Sequence, residues 1–363
     1  MAHRVPLTLI LSYDCCSGLG TTRTKSLGQE PQSKRKQEER LEMSSEGRVC
    51  VTGGSGFIGS WVIRLLLERG YTVHATVKDL NDEGETKHLL GLDGASQRLR
   101  LFQIDLLDYT SILAAVQGTT GVFHLASPNR LSPVQDPQRE LLDPAEKGTL
   151  NVLRAAQESR VRRVVVTSSM AAIFPNPSWP AGMVYNEDSW TDVDYCKKLE
   201  LWYPVSKTLA ERAAWEFAAK ERLDVVVINP AVVLGPVLPP SINDSVAILL
   251  HLLQGREMEL NNLYIGCVDV RDVALAHILL FEKPLAQGRH PCVEAITRWC
   301  DFVAKVAELY PEFKVPRHSE DKQPWLVRAE SPSKKLMELG LHFRSMEQMI
   351  KNTVESLKGK GYL

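Results

Sequence analysis

The stretch Val51-Thr52-Gly53-Gly54-Ser55-Gly56-Phe57-Ile58-Gly59 constrains the fold of this chain more than any other. It lies between an apolar, strand-like run over 48–52 and a segment whose apolar residues, Phe57, Ile58, Trp61, Val62, Leu65 and Leu66, recur at helical spacing. Glycine at 53 permits a tight turn, at 56 lets the main chain approach a pyrophosphate, and at 59 lets helix pack on strand. The helix start, with Phe57 and Ile58 in its first turn, then offers free N–H groups and the positive end of its dipole to phosphates. Three spaced glycines alone are a weak signal. Gly70 ending the helix and a second strand over 71–77 complete a βαβ unit, and in that setting the glycines read as a dinucleotide-binding fingerprint.

Strand and helix patterns alternate from Arg48 to about Pro230, which predicts an α/β fold with a doubly wound parallel sheet, the Rossmann architecture. Further strands are expected over 99–104, 121–125, 163–167 and 225–229, as short apolar runs suited to burial on both faces. Helices are expected over 144–159 and 205–221. Past Pro230 the texture changes: Pro236, Pro239 and Pro240 break the chain, and helical patterns follow over 245–253, 270–281, 300–309 and 345–357. The reading is a dinucleotide-binding domain over 44–235 and a smaller, mostly helical substrate lobe over 236–363, part of which returns to the sheet. That lobe is expected over the carboxyl ends of the strands, where such sheets bind ligands. Residues 1–43 carry no periodicity and read as a disordered tail or an extension ahead of the first strand.

A composition of 44% hydrophobic and 24% charged residues excludes a disordered or fibrous chain. The formal net charge of −1 gives no electrostatic case for nucleic acid or an anionic membrane as partner. Seven cysteines lack CxxC spacing or His/Cys clustering, and their odd number and scatter argue against a disulfide framework or a metal site and for a reducing, cytoplasmic setting. No apolar run reaches the roughly 18 residues needed to span a bilayer.

Sheets of this kind that select NAD end the second strand with an acid for the ribose hydroxyls. Here the strand ends Ala75-Thr76-Val77, followed by Lys78 and Asp79. An apolar residue in the acid's place and a cation after it suit a 2′-phosphate, and so NADP(H). Alternatively Lys78 is a loop charge paired with Asp79 or Asp82. Lys87 is a more distant candidate. Asp105 after the third strand either accepts from the adenine amino group or caps the next helix, as Asp108 can; Leu106 beside it is also counted a cofactor contact. Ala126 and Ser127 are expected along the cofactor, as are Pro230, Val232 and Val233 after the sixth strand. His124 reads as a packed residue with a satisfied ring.

Tyr203 and Lys207 are four residues apart, so on a helix they share a face. A phenol with an ordinary pKa near 10 becomes a useful proton donor when an ammonium stabilises its anion. Lys207 is placed to supply that charge and to bond the nicotinamide ribose. Tyr203 is then the donor to a carbonyl oxygen that accepts hydride at carbon. Ser169, at a carboxyl strand end, can bond the same oxygen.

The glycine segment, the Tyr203/Lys207 pair and Gly148-Thr149-Leu150-Asn151-Val152-Leu153 resemble the extended short-chain dehydrogenase/reductases. More narrowly, the chain is similar to the plant branch holding cinnamoyl-CoA reductases, related aldehyde reductases and dihydroflavonol reductases. The resemblance runs from Ser44 to Leu363 and includes Asp269-Val270-Arg271-Asp272-Val273-Ala274-Leu275-Ala276-His277. It implies NADPH, a Ser169–Tyr203–Lys207 triad and a pocket closed by the C-terminal lobe; Ser168 replaces Ser169 if the strand runs one residue out of register. Two departures bear on substrate. Cinnamoyl-CoA reductases carry Asn-Trp-Tyr-Cys-Tyr around the tyrosine, where this chain has Leu201-Trp202-Tyr203-Pro204-Val205. Dihydroflavonol reductases place Asn or Asp five residues after the serine, where this chain has Phe174. Leu238, Ile242 and Tyr264 join Phe174 as pocket-wall candidates, a role that core packing explains equally well for those three.

The expected function is therefore an NADPH-dependent carbonyl reductase of a small aromatic or phenylpropanoid substrate, taking free aldehydes ahead of coenzyme A thioesters. Thioester or dihydroflavonol reduction is the nearer alternative. A sugar-nucleotide epimerase shares the fold but retains NAD, which Val77-Lys78 opposes. A nucleotide-sensing binding protein is opposed by the intact triad.

Overall fold

Alternate residues of the central strands fall into two different hydrophobic layers. Val49 and Val51 pack in one and Cys50 in the other; Phe123 opposes Val122, Val165 opposes Val164 and Val166, and Val226 and Ile228 oppose Val225 and Val227. All of these side chains are buried. Only a sheet covered on both faces sorts its side chains this way, because successive residues point to opposite sides.

The computed structural model describes residues 47–128, 134–179, 185–256, 264–316 and 333–363, so the expectation for the tail lies outside the described residues. Their fold belongs to one compact unit, Ser44–Leu363. The strands are β1 (Arg48–Thr52), β2 (Thr72–Val77), β3 (Leu99–Gln103), β4 (Gly121–His124), β5 (Arg163–Thr167), β6 (Val225–Pro230), β7 (Val232–Leu234), β8 (Tyr264–Asp269), β9 (Gly288–Cys292) and β10 (Ala295–Arg298). Seven of them form a parallel sheet in the order β3-β2-β1-β4-β5-β6-β9. The order reverses between β1 and β4, and a crevice at such a switch point is where sheets of this class bind ligands.

The helices of eight or more residues are α1 (Phe57–Glu68), α2 (Glu83–Leu90), α3 (Tyr109–Val116), α4 (Asp143–Glu158), α5 (Trp202–Glu221), α6 (Asp244–Leu253), α7 (Val270–Glu282), α8 (Trp299–Leu309) and α9 (Met346–Gly359). Helices α1 and α7 cover one face of the sheet; α3, α4 and α5 cover the other. Helices α6, α8 and α9 enclose a further core around Leu249, Trp299, Phe302 and Ile350. Among the described residues no helix is long and apolar enough to cross a membrane.

The expected doubly wound sheet is present, with two differences in detail. The region past Pro230 is less purely helical than its periodicity suggests: β7, β8 and β10 form a small three-stranded sheet. Strand β9 of the same region lies in the main sheet beside β6, with Pro291 inside it. Proline fits there because β9 is the edge strand and its missing N–H interrupts no ladder. Helix α5 starts at Trp202, three residues before the expected 205, which carries Tyr203 into its first turn. Pro204 permits this, since the first turn's N–H groups have no intrahelical acceptor to lose.

Candidate active site

Two backbones nearly touch at the switch point. Gly53 has φ +68, and a Cβ there would lie 2.9 Å from the Ala126 nitrogen and 3.0 Å from its Cα. A Cβ on Gly59 would overlap the Gly53 carbonyl oxygen, so α1 packs against the turn only with glycine there. Gly56 is exposed and precedes α1 with no side-chain cap, and the first turn of α1 holds no acid. Helix starts normally have their free N–H groups capped by a side-chain oxygen. This one, which carries Phe57 and Ile58, leaves them for an external anion, and so fits a pyrophosphate.

Thr52 and His124 pin this crossing. Thr52 Oγ1 accepts from the Leu125 and Ala126 N–H groups, each at 3.1 Å, and lies 2.9 Å from His124 Nδ1. A hydroxyl has one proton and two lone pairs. With both lone pairs filled, Thr52 must donate to Nδ1, so the proton of the ring sits on Nε2, 3.1 Å from Thr149 Oγ1. Burial, then the positive charge of Lys207, pushes His124 down to about 3. It is a neutral structural histidine whose network fixes the main chain leading to Ala126 and Ser127.

At the end of β2, Val77 is buried and Lys78 is exposed, with no ion pair to Asp79 or Asp82 among the described residues. Lys87 lies 3.9 Å from Glu83 on its own helix. The main-chain N–H groups of Lys78 and Asp79 both donate to Glu85 Oε2, at 2.6 and 3.4 Å. Sequence reasoning missed Glu85, because nothing in a surface helix shows that its side chain folds back on the preceding strand. Asp108, not Asp105, caps α3 through the Thr110 N–H at 3.0 Å. Asp105 is exposed and accepts from the Leu107 N–H at 2.8 Å, while the Leu106 side chain packs against Gly148.

Ser169, Tyr203 and Lys207 come together at the carboxyl end of β5. Ser169 opens the short turn Met170–Ala172 and its Oγ accepts from the Ala171 N–H at 3.1 Å. The ionisable end of Tyr203 is enclosed. Burial pushes its phenol up; a hydrogen bond with Ser169 opposes this, and Asp244 at the start of α6 adds to it. Lys207 Nζ lies 5.7 Å from the centre of the Tyr203 ring. Burial lowers the ammonium to about 8, so it is still largely protonated at neutral pH. Among the described residues Nζ has no hydrogen-bond acceptor. A phenol held by a hydroxyl and flanked by an ammonium can deliver a proton to an oxygen placed against both hydroxyls. Ser168 faces elsewhere and donates to Glu211 Oε2 at 2.5 Å. Asn229, another residue the sequence reading passed over, donates from Nδ2 to the Ser169 carbonyl at 3.1 Å.

The remaining candidates are dispersed. Pro230 ends β6 buried, Val232 is half-buried in β7, and the Val233 side chain belongs to the core. Phe174 packs with Met170, Ile173 and Tyr185, whereas Leu238 and Ile242 rest on the main core. Tyr264 begins β8, but its side chain lies outside the described residues. A cavity of about 730 Å³ lined by Arg69, Tyr71, Arg160, Arg162 and Glu282 opens at the amino-terminal strand edge, opposite the triad. Its arginines lie by the carboxyl ends of helices, where cations complement the helix dipole.

Comparison with known proteins agrees with this geometry. The model of the NAD dependent epimerase/dehydratase family matches residues 49–291. The chain is 48% identical over 317 residues to cinnamoyl-CoA reductase CAD2 of Medicago truncatula, covering 86% of this chain and 96% of that protein. The crystal structure of vestitone reductase from alfalfa (Medicago sativa) superposes with a TM-score of 0.75 at 35% identity, covering 87% of this chain and all of that one. Yeast methylglyoxal/isovaleraldehyde reductase Gre2, solved with NADPH, gives 0.76 at 28% identity, again covering 87% of this chain and all of that one.

The Thr52–His124 network predicts that Thr52→Val, which keeps the side-chain shape, destabilises the protein by at least about 2 kcal/mol. It leaves two N–H groups and Nδ1 without their partner. Denaturant unfolding measures the loss; an unchanged midpoint would show that the network contributes nothing.

Proposed function

The chain belongs to the NAD dependent epimerase/dehydratase family, and from that premise we propose that it is an NADPH-dependent reductase of a small aromatic or phenylpropanoid carbonyl compound. The observation that carries the reading is the meeting of Ser169, Tyr203 and Lys207 beside an uncapped, glycine-built helix start. The relatives named as reductases, one of them solved with NADPH, support it.

The main chain at Gly53, Gly56, Phe57, Ile58 and Gly59 would hold the pyrophosphate, and Lys78 the 2′-phosphate. When bound, NADPH supplies the hydride. Ser169 and Tyr203 bond the substrate's carbonyl oxygen, and Tyr203 delivers its proton as negative charge develops there. Burial keeps that proton on the phenol until the oxygen needs it. The Lys207 charge then stabilises the phenolate left behind. Residues 44–235 serve the nucleotide and 236–363 the substrate, and Asp244 at the start of α6 is near enough to act on Tyr203. Cys50, Cys196, Cys267 and Cys292 are buried thiols that form no disulfide with one another, in keeping with a reducing, cytoplasmic setting.

Free aldehydes are the preferred substrates in this reading. The exposed Leu201 has a side chain that cannot hydrogen-bond, and Pro204 offers no N–H beside Tyr203. The competing reading is thioester reduction, favoured by the name of the relative at 48% identity. Side-by-side kinetics with a coniferaldehyde-type aldehyde and a feruloyl-CoA-type thioester decide between them. Higher kcat/KM on the aldehyde is expected; a clear preference for the thioester overturns the aldehyde assignment.

Tyr203→Phe is expected to cut turnover by about 10²–10⁴-fold while NADPH affinity stays the same, because only the transferable proton is lost. Near-normal turnover in that variant would remove Tyr203 from the chemistry. Lys207, lowered to about 8, carries its charge below that pH and loses it above. The kcat/KM of the free enzyme should therefore fall as pH rises through about 8, and a flat profile to pH 9.5 would contradict this role.

NADPH should be used ahead of NADH. Lys78→Glu should narrow the preference by about one to two decades, the worth of a charge-assisted hydrogen bond of about 1.5–3 kcal/mol. Glu85→Gln should widen it, since the Glu85 carboxylate occupies N–H donors that a phosphate would share. Equal use of both cofactors by the unaltered protein refutes the assignment.

A further inference from the structure

Beneath the triad lies a carboxylate that the proposed chemistry does not use. Glu211 is on α5, one turn past Lys207 and two past Tyr203, so the three share a face of one helix. Its side chain has no exposed surface and is paired with Arg289 of β9, whose side chain is 7% exposed. Arg289 Nε donates to Oε1 at 2.5 Å and Nη2 to Oε2 at 3.4 Å. Trp215 Nε1 donates to Oε1 at 3.3 Å, and Ser168 Oγ and Asn229 Nδ2 donate to Oε2 at 2.5 and 2.9 Å.

The network then closes on Ser169. Asn229 Nδ2 also donates to the Ser169 carbonyl at 3.1 Å. Arg289 reaches the Ala172 carbonyl, at the end of the turn that Ser169 opens, at 3.3 Å. It also bonds the carbonyls of Glu187 and Ser189, at 2.8 and 2.5 Å, and stacks on Trp190 at 3.9 Å. The segment 168–172 is thus held at the Ser168 hydroxyl, the Ser169 carbonyl and the Ala172 carbonyl. All three bonds lead to Glu211 or its partner, and Glu211 rides on the helix that carries Tyr203 and Lys207.

A buried ion pair is a poor device for stability, since apolar residues of similar volume usually do as well or better. What this one does is join the β5 end to α5 in a single register. Two hydroxyls on different elements must both meet one substrate oxygen, and a misplacement of about 1 Å can cost about a hundredfold in rate. We propose that Glu211, clamped by Arg289, is a positioning residue that holds Ser169 in register with Tyr203 through Ser168 and Asn229. This rests on the triad reading given above.

The test is a double-mutant cycle measured where all variants are folded. Glu211→Gln keeps the side-chain shape and removes the charge that gathers the donors. We expect kcat to fall about 10–100-fold, with KM and Kd for NADPH unchanged because the glycine turn is not attached to this network. In a Ser169→Ala background the same change should cost less than about threefold, since effects routed through one residue are not additive. The same fold-loss in both backgrounds, a rise in KM without loss of kcat, or no loss at all overturns the proposal. If Glu211→Gln does not fold, Ser168→Ala removes a single bond of the network. It should lower kcat by about 3–10-fold, the worth of one hydrogen bond, and again only when Ser169 is present; an effect independent of Ser169 overturns the proposal equally. Ser169→Ala alone with normal turnover would instead defeat the triad reading, so the two failures are distinct.

Discussion

The carboxyl edge of the sheet depends on the crossing of two main chains at Gly53 and Ala126. No side chain fits between them, and the Thr52 hydroxyl ties one to the other. The consequences spread from that point. Because β1 and β4 are held at this spacing, α1 begins directly over the crevice with its N–H groups unclaimed. Burial and the charge of Lys207 hold His124 neutral while Thr52 and Thr149 fix its ring, so it adds no charge near Lys207. A site that has to receive a polyanion and a hydride donor is thereby built largely from backbone and neutral groups, with Lys207 buried at one end and Lys78 exposed after β2 at the other.

The buried charges beside it obey opposite rules. Lys207 is enclosed without a protein acceptor among the described residues, and its proton is correspondingly loosened. Tyr203 is helped by the Ser169 hydroxyl, yet burial of its phenol holds the proton more tightly. Lys207 is thus left without a protein acceptor, as expected of a residue that completes its bonding with a ligand. Glu211 and Arg289, a turn deeper, are fully satisfied by each other and by their neighbours. The contrast is one of bonding, although all four groups lie within one small region of α5, β5, β6 and β9.

The active-site elements were legible in the sequence to different depths. The glycine turn, the parallel strands and Tyr203 with Lys207 are local patterns whose geometry follows from backbone sterics and from the 3.6-residue helical repeat. Strand β9 was not legible, because Pro291 in a short run signals a break unless one knows that the strand lies at an edge. Glu211 follows Lys207 at the same four-residue spacing, yet a glutamate there reads as a solvated helix charge until Arg289, 78 residues later, is seen against it. Glu85 reads likewise until its carboxylate is found on the N–H groups after β2.

What the sequence determined by itself was therefore the architecture and the candidate reacting groups, since both are written in short-range spacing. What only the tertiary structure decided was which neighbours those groups have. It turned Ser168 to Glu211 and set Ser169 against Tyr203, and it gave the α3 cap to Asp108 rather than Asp105. It also scattered the pocket-wall candidates, leaving Phe174 in one cluster and Leu238 and Ile242 against another. Those outcomes depend on which elements pack together and on how every buried donor finds an acceptor. That condition is satisfied by the whole chain at once and leaves no mark at any single position.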